Sequence, residues 1–206
     1  MKRILMTFMV LVAGLSVIAP DINAQTRSSG TTRQERMEQW HKDMAEFRAR
    51  AEKTHELHQL ADSIAGVQAT VAIKNQDFVL EVEQVTFRSG MTTFVNTSTN
   101  FISVKGKRAV VQISPSNFAS GPNGVGGVTV QGMITSPELK TDSRGNLTYS
   151  FNVMGIGVNA QIEIYMYPGT NSATATIYPN FNSNTIWLEG NIVPYENSNV
   201  IEGATL

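Results

Sequence analysis

The amino-acid sequence predicts a mainly β protein in which one amphipathic helix precedes about eight antiparallel strands in an up-and-down order. Two features lead to this prediction. From residue 33 to about residue 74, apolar residues recur every three or four positions, the spacing of a helix with one apolar side. From residue 76 onward, apolar and polar residues alternate over short segments, the spacing of strands with one buried face.

The N-terminus has the order of parts found in a secretory signal peptide. A basic start, Met1-Lys2-Arg3, is followed by an apolar run over residues 4–19 and by Ala24, a small residue at the expected cleavage position. The run is shorter than the roughly 20 residues that a membrane-spanning helix needs. We therefore expect a cleaved, exported protein, in the periplasm or secreted, without an integral membrane segment.

The signal-peptide pattern and the change of periodicity predict three parts: a signal peptide (1–24), a charged amphipathic helical lead-in (25–75) and a β domain (76–206). The chain has no cysteine, which excludes disulfides, thiol catalysis and a lipid-modified N-terminal cysteine. From residue 76 onward there are 6 basic and 9 acidic residues. Nucleic acid is therefore not an expected partner, because phosphate binding needs a positively charged surface.

The predicted helix carries two sets of apolar residues. The first set is Met37, Trp40, Met44, Phe47 and Ala51, and the second is Leu57, Leu60, Ile64, Val67 and Val71. The step from Ala51 to Leu57 turns the apolar side partway around the axis, so the helix either wraps over a curved surface or breaks near Thr54. Thr31 or Thr32 is the candidate N-cap. We expect the first set either to pair with another helix or to close one end of the β domain.

Eight strands are predicted, near residues 77–87, 99–105, 107–114, 127–135, 146–154, 157–167, 172–178 and 184–193. The alternation changes phase between Val82 and Val85, which predicts a β-bulge around Glu83-Gln84. Short connections such as Ser143-Arg144-Gly145-Asn146 are typical of hairpin turns. The residue pattern alone leaves open whether the meander closes as a barrel or folds as a sandwich.

Five segments of the β region carry a family resemblance: Phe78-Val79-Leu80-Glu81, Asn100-Phe101-Ile102-Ser103-Val104, Arg108-Ala109-Val110-Val111-Gln112, residues 121–130 and Pro179-Asn180-Phe181-Asn182-Ser183-Asn184. Through these five segments, residues 77–206 resemble domain of unknown function family 4251, a family of exported bacterial proteins. The resemblance implies a signal peptide, a charged helical lead-in and a lipocalin-like β-barrel, and so favours the barrel over the sandwich. It implies no activity, because the family has no established catalytic or ligand-binding residues.

Small residues mark the candidate ligand-binding positions. Ala160, Ala173, Ala175 and Gly190 occupy inward positions, where they either let the barrel walls approach closely or leave room for one small apolar ligand. Gly124 and Gly126 lie in the glycine-rich segment 121–127, which predicts a flexible loop at the barrel rim. No cofactor is expected.

The polar residues do not predict a catalytic or metal site. All three histidines, His41, His55 and His58, lie in the helix, whereas a metal site needs three or four converging ligands. Glu81 and Glu83 are expected to face solvent. Asp62-Ser63-Ile64 matches a short sequon that some Gram-negative envelopes O-glycosylate.

Two functions compete on this basis, and neither is enzymatic. The first is a binding barrel for a small apolar ligand. The alternative is a structural or interaction module of the cell envelope, with a filled barrel and a helix that docks a partner protein.

Overall fold

A computed structural model of the chain describes residues 32–114, 127–155, 158–180 and 185–203. Helix α1 (Arg33–Lys74) comes first, and a short 3-10 turn (Tyr195–Asn197) follows the last strand. The strands between them are β1 (Asp77–Phe87), β2 (Thr92–Phe94), β3 (Phe101–Lys105), β4 (Arg108–Ile113), β5 (Val128–Thr141), β6 (Leu147–Gly155), β7 (Val158–Met166), β8 (Ser172–Pro179) and β9 (Ile186–Pro194).

Eight of these strands form a closed antiparallel barrel, as predicted. Sequential strands from β3 to β9 pair with their neighbours, and β1 closes the barrel by pairing with both β3 and β9. The additional strand, β2, pairs with the second half of β1, beyond the segment that pairs with β3. The sequence did not predict β2, which is only three residues long.

Strand β5 runs to Thr141, whereas the sequence predicted an end near residue 135. Ser136-Pro137 resembles a turn, and Ser136 does have a positive φ of 51°. The pairing with β6 shifts its register between Thr135 and Glu138 and then continues. A bulge therefore occupies the position where the sequence indicated a strand end.

The predicted bulge in β1 is confirmed. Its pairing with β9 shifts between Val82 and Gln84, so that Glu83 is the extra residue. Val82 faces Gly190 across this irregularity. A Cβ atom on Gly190 would collide with the carbonyl oxygen of Glu81, so glycine permits the close approach of the two strands.

The inward side chains of the barrel form one continuous buried cluster. Three aromatic rings belong to it: the ring centroids of Phe78 and Tyr149 are 5.9 Å apart, and those of Tyr149 and Phe151 are 5.0 Å apart. The Tyr149 hydroxyl accepts a hydrogen bond from Gln76 Nε2 at 3.2 Å. Burial raises the pKa of Tyr149, while the bond from Gln76 acts in the opposite direction.

Helix α1 is unbroken at Thr54, whose hydroxyl donates to the Arg50 carbonyl at 2.9 Å. Thr32 caps its start, as one of the two predicted candidates. The Thr32 N–H donates to the Glu35 carboxylate at 2.7 Å, and the Glu35 N–H donates to the Thr32 hydroxyl at 3.3 Å. This reciprocal pair is a capping box.

Residues from Ala49 onward form one compact unit, in which the second half of α1 packs on the barrel. Ala69, Ala72 and Ile73 belong to the same buried cluster as the inward strand residues. A Cβ atom on Gly66 would lie 2.9 Å from the Thr170 backbone, so glycine lets the helix contact the β7–β8 turn. The helix therefore closes one end of the barrel with small residues and one isoleucine.

The residues that close the barrel differ from the predicted first apolar set. Met37, Trp40 and Phe47 of that set are each more than half exposed. The expected cover is provided instead by Gly66, Ala69, Ala72 and Ile73. Small side chains allow close packing of a helix on a barrel end, but they do not stand out in a pattern of large apolar residues.

The C-terminal segment covers part of the outer wall. Val79, Phe101 and Val110 form a second buried cluster, against which Tyr195 and Val200 pack. Gln112 holds the segment in place, since its Nε2 donates to the Ile201 carbonyl at 2.9 Å and its Oε1 accepts from the Gly203 N–H at 2.8 Å. Consecutive apolar residues such as Phe78-Val79-Leu80 are the sequence signal for this burial on both faces.

Candidate functional site

The small inward residues lie within the packed core. Ala160, Ala173 and Ala175 are buried and belong to the continuous inner cluster. Ala175 is paired with Ile164 on one side and with Leu188 on the other, so larger side chains flank it on the inward face. Gly190 is at the close approach of β1 and β9. The predicted rim residues Gly124 and Gly126 lie outside the described residues.

The second apolar set of the helix lies on the surface instead. Leu57, Leu60, Ile64, Val67 and Val71, which we call the outer stripe, each expose between 51% and 66% of their surface. Their spacing of three and four residues places them on one side of α1. Gly66, Ala69, Ala72 and Ile73 contact the barrel from the other side, so the outer stripe faces away from the core.

The flanks of the outer stripe carry little charge. Ala61 and Gln68 lie along one flank, and Ser63 and Thr70 lie along the other. Ser63, the candidate glycosylation residue, is exposed, and its hydroxyl donates to the Gln59 carbonyl at 2.8 Å. Contiguous apolar surface of this kind marks interaction sites in folded proteins.

A groove of about 350 Å³ continues the outer stripe at its C-terminal end. Val67 and Val71 form one wall, and Pro194 and Tyr195 form the other. Two acidic side chains, Asp77 and Glu196, are also part of its lining. The Lys105 ammonium lies 4.3 Å from the centre of the Tyr195 ring, a cation–π contact that fixes one wall of the groove.

A second groove, of about 330 Å³, lies on the outer wall near the β1 bulge. Its lining includes Glu83, Glu189 and the ring of Tyr167. Glu83 accepts a hydrogen bond from Asn191 Nδ2 at 2.9 Å. Both carboxylates are exposed, so this groove is an open polar surface.

The polar side chains do not form a catalytic arrangement in the part of the chain that the structure describes. No three potential metal ligands converge there. His41, His55 and His58 are exposed on the helix, and the ring of His55 contacts the Gln59 amide at 2.9 Å. Glu81 is half-buried and accepts from the Ser198 hydroxyl at 2.6 Å, so it helps to hold the C-terminal segment.

The pKa of Asp142 is lowered by its environment. The largest cause is the hydrogen bond from the Asn146 side chain, at 2.6 Å, and backbone N–H groups of Asn146 and Arg144 add to it. This carboxylate organises the β5–β6 turn. Its role is therefore structural.

Within the described residues, no helix has both the length and the apolar character that a membrane crossing requires. A search among curated proteins found no match. The crystal structure of a DUF4251 family protein from Bacteroides eggerthii DSM 20697 is similar to this chain, with 48% sequence identity and a TM-score of 0.60. The alignment covers 68% of this chain and 95% of that one.

A family model described as a domain of unknown function, DUF4251, matches residues 63–192. The match begins within α1, so it includes the helix residues that close the barrel as well as the strands. Sequence and structure agree on the family, as the resemblance predicted. The chain belongs to the DUF4251 family.

Proposed function

We propose that this protein is an exported interaction module of the cell envelope, which acts through its outer surface rather than through a ligand inside the barrel. In this proposal the barrel is a rigid support. It holds the second half of α1 so that the outer stripe is available to a partner protein. Export rests on the signal-peptide pattern of residues 1–24.

The solvent exposure of the five side chains of the outer stripe is the main observation in support of this proposal. Complete burial of an aliphatic side chain stabilises a protein or a complex by roughly 1.5–3 kcal/mol. Five side chains that are about half exposed could therefore contribute on the order of 5 kcal/mol more if a partner covered them. Helix α1 has small residues on its barrel-facing side, where large apolar residues would ordinarily lie. Large residues that face solvent in an ordered helix are best explained by a partner that covers them.

The packing inside the barrel supports the same proposal. A small apolar ligand needs a space lined by small side chains, but Ala160, Ala173 and Ala175 are buried among larger neighbours. The aromatic rings of Phe78, Tyr149 and Phe151 occupy the same interior cluster. This arrangement favours a filled barrel over a binding barrel.

Site-specific photo-crosslinking in cells of the native host tests the proposal. A photoreactive amino acid at position 64 lies on the outer stripe, whereas one at exposed position 62 is about 200° away around the helix and is the matched control. We expect a discrete cross-linked species from position 64 and little from position 62. Equal labelling at both positions, or none at either, would contradict a docking role for the stripe.

Fractionation of the same cells tests export. We expect the protein in the periplasmic or extracellular fraction, with the intact mass of a chain that begins at Gln25. A cytoplasmic protein that retains residues 1–24 would contradict this part of the proposal.

A further inference from the structure

We infer that the groove near the β1 bulge is a second interaction surface, which binds an extended, arginine-containing segment of a partner protein. We call it the acidic groove, and its lining includes Phe94, Glu83, Glu189, Asn191, Thr174 and Tyr167. The outer-stripe residues lie outside that lining. The inference therefore goes beyond the docking role of the outer stripe and does not depend on it.

The acidic groove crosses the outer wall of the barrel from β2 to the end of β7. Phe94 of β2 pairs with Gln84 of β1, which pairs on its other side with Glu189 of β9. Thr174 of β8 pairs with Glu189, and Tyr167 directly follows β7. Neighbouring strands are about 4.8 Å apart, so the four steps from β2 to β7 span up to roughly 19 Å along the wall. An extended polypeptide covers that length with about six residues, so the groove fits a segment of chain better than a compact small molecule.

The wall around the acidic groove carries an excess of negative charge. Strands β1, β2, β7, β8 and β9 contain no lysine, arginine or histidine, but they contain five acidic residues: Asp77, Glu81, Glu83, Glu163 and Glu189. Glu83 and Glu189 are exposed, and neither forms an ion pair with any other residue that the structure describes. The groove is therefore complementary to a positively charged ligand.

The basic residues beyond the ends of β1 are distant from the acidic groove. Arg88 lies five residues after Glu83, while Lys74 and Lys105 lie near the start of β1, six residues before Glu83. At about 3.3 Å per residue, the backbone separations are roughly 16 and 20 Å. These are about twice the Debye length of ~8 Å at physiological salt, so the three charges do not neutralise the groove.

The basic residues near the other end of the groove do not neutralise it either. Arg144 precedes β6, three strand steps or roughly 14 Å from β9, and its charge acts on Asp142. In α1, residues 59–73 include the contact with the β7–β8 turn and carry a single charge, which is acidic. A cationic partner is therefore attracted to this part of the wall.

Two aromatic rings favour arginine as the source of the positive charge. Phe94 is 79% exposed and Tyr167 is 45% exposed. The guanidinium group is planar, stacks on aromatic faces and forms paired hydrogen bonds with carboxylates. Glu83 is adjacent to the residue that pairs with Glu189. Side chains two residues apart in an extended segment lie on the same side, about 7 Å apart, so two such arginines can reach both carboxylates.

Fluorescence anisotropy with a synthetic hexapeptide tests the inference on the protein purified from its host. The peptide contains two arginines separated by one serine, with serine elsewhere, and its neutral twin contains citrulline in place of each arginine. We expect the arginine peptide to bind at least about tenfold more tightly, and its affinity to fall severalfold between about 50 and 200 mM salt, because exposed charges are screened. Equal affinities for the two peptides would overturn the inference.

Variants of the groove test the location of the contact. Glu83→Gln combined with Glu189→Gln should weaken binding at least about tenfold. Glu163→Gln, at an exposed position of β7 outside the lining, is the matched control and should leave the affinity unchanged. A folded double variant with undiminished affinity, or an equal loss in the control, would overturn the inference.

The aromatic contact has its own pair of variants. Tyr167→Leu should weaken binding of the arginine peptide severalfold, because it removes a cation–π contact and no charge. Tyr178→Leu, at an exposed position of β8 outside the lining, should have no effect. Equal affinities of the Tyr167→Leu variant and the wild type would contradict stacking of arginine on this ring.

A neutral sugar chain distinguishes a protein partner from a glycan, since exposed rings and polar side chains also bind sugars. We expect no binding of cellohexaose. Binding of cellohexaose without binding of the arginine peptide would overturn the inference in favour of a glycan. Cross-linking from position 64 is a separate measurement, so failure of the peptide to bind would leave the docking role of the outer stripe standing.

Discussion

Single residues decide how closely the elements of this protein approach one another. Because Gly66 has no side chain, the β7–β8 turn can contact the helix there. For the same reason, the backbone of β1 can approach Gly190 closely at the bulge. The inward position of Gly190 follows from strand alternation. The requirement for glycine at this position does not follow from the sequence, because a sequence cannot show which carbonyl oxygen would meet an added Cβ atom.

The core alanines lead to the first prediction. Ala175→Phe should lower the free energy of unfolding by about 1–3 kcal/mol, because Ala175 is buried between Ile164 and Leu188 and an added ring would overpack the core. Thr176→Phe, at the next, outward-facing position of β8, is the matched control and should change stability little. Chemical denaturation measures both. A stable Ala175→Phe protein would indicate free space inside the barrel.

The Asp142 carboxylate leads to a prediction about pH. Its pKa in the folded protein is below the usual 3.8, chiefly because of the Asn146 side chain. The stabilisation is therefore present above pH 3.8 and is lost as the pH falls through the lower, folded-state pKa. Thermal unfolding should show Asp142→Asn less stable than the wild type at pH 7, with a difference that shrinks as the pH falls below 3.8. A difference independent of pH would contradict this role.

The elements themselves were largely predictable. The predicted helix matches α1 from Arg33 to Lys74, and all eight predicted strands are present. Strong periodicity explains this success. What periodicity cannot tell is which side of a helix contacts the core: here the large apolar residues Leu57 to Val71 face solvent, and the contact is made by small residues that leave little signal.

The orientation of the helix leads to a third prediction. Ile64→Glu should change the free energy of unfolding of the monomer by less than about 0.5 kcal/mol, because its side chain is half exposed. Ile73→Ala, on the same helix but in the core cluster, should cost about 2–5 kcal/mol. Denaturant titrations at low protein concentration compare the two. A similar loss in both variants would mean that the outer stripe also packs on the barrel.

At the scale of the whole molecule, closure depends on the pairing of β1 with β9, between residues 99 to 116 positions apart. Alternation within single strands carries no information about such a pairing, so the residue pattern left barrel and sandwich open. The family resemblance favoured the barrel. The cover that residues 195–203 provide for the outer wall was not predicted, although consecutive apolar residues in β1 and β3 are consistent with it.

The candidate site also emerges at the scale of the whole molecule. The sequence prediction included every residue of the outer stripe, but it placed a ligand at small inward positions and, in its alternative, gave the docking role to the first apolar set of the helix. Three of those, Ala160, Ala173 and Ala175, are part of the packed core. The groove formed by α1 with Pro194 and Tyr195 joins parts of the chain that are far apart in sequence, so no local pattern could reveal it.

Native mass spectrometry of the protein purified from its host, compared with its denatured mass, tests most directly the central claim that the barrel is filled and acts through its surface. We predict the mass of the bare chain, or a whole multiple of it, with no additional small molecule. A reproducible extra mass that is lost on denaturation, and that Ala175→Phe abolishes, would contradict the claim and establish a ligand inside the barrel.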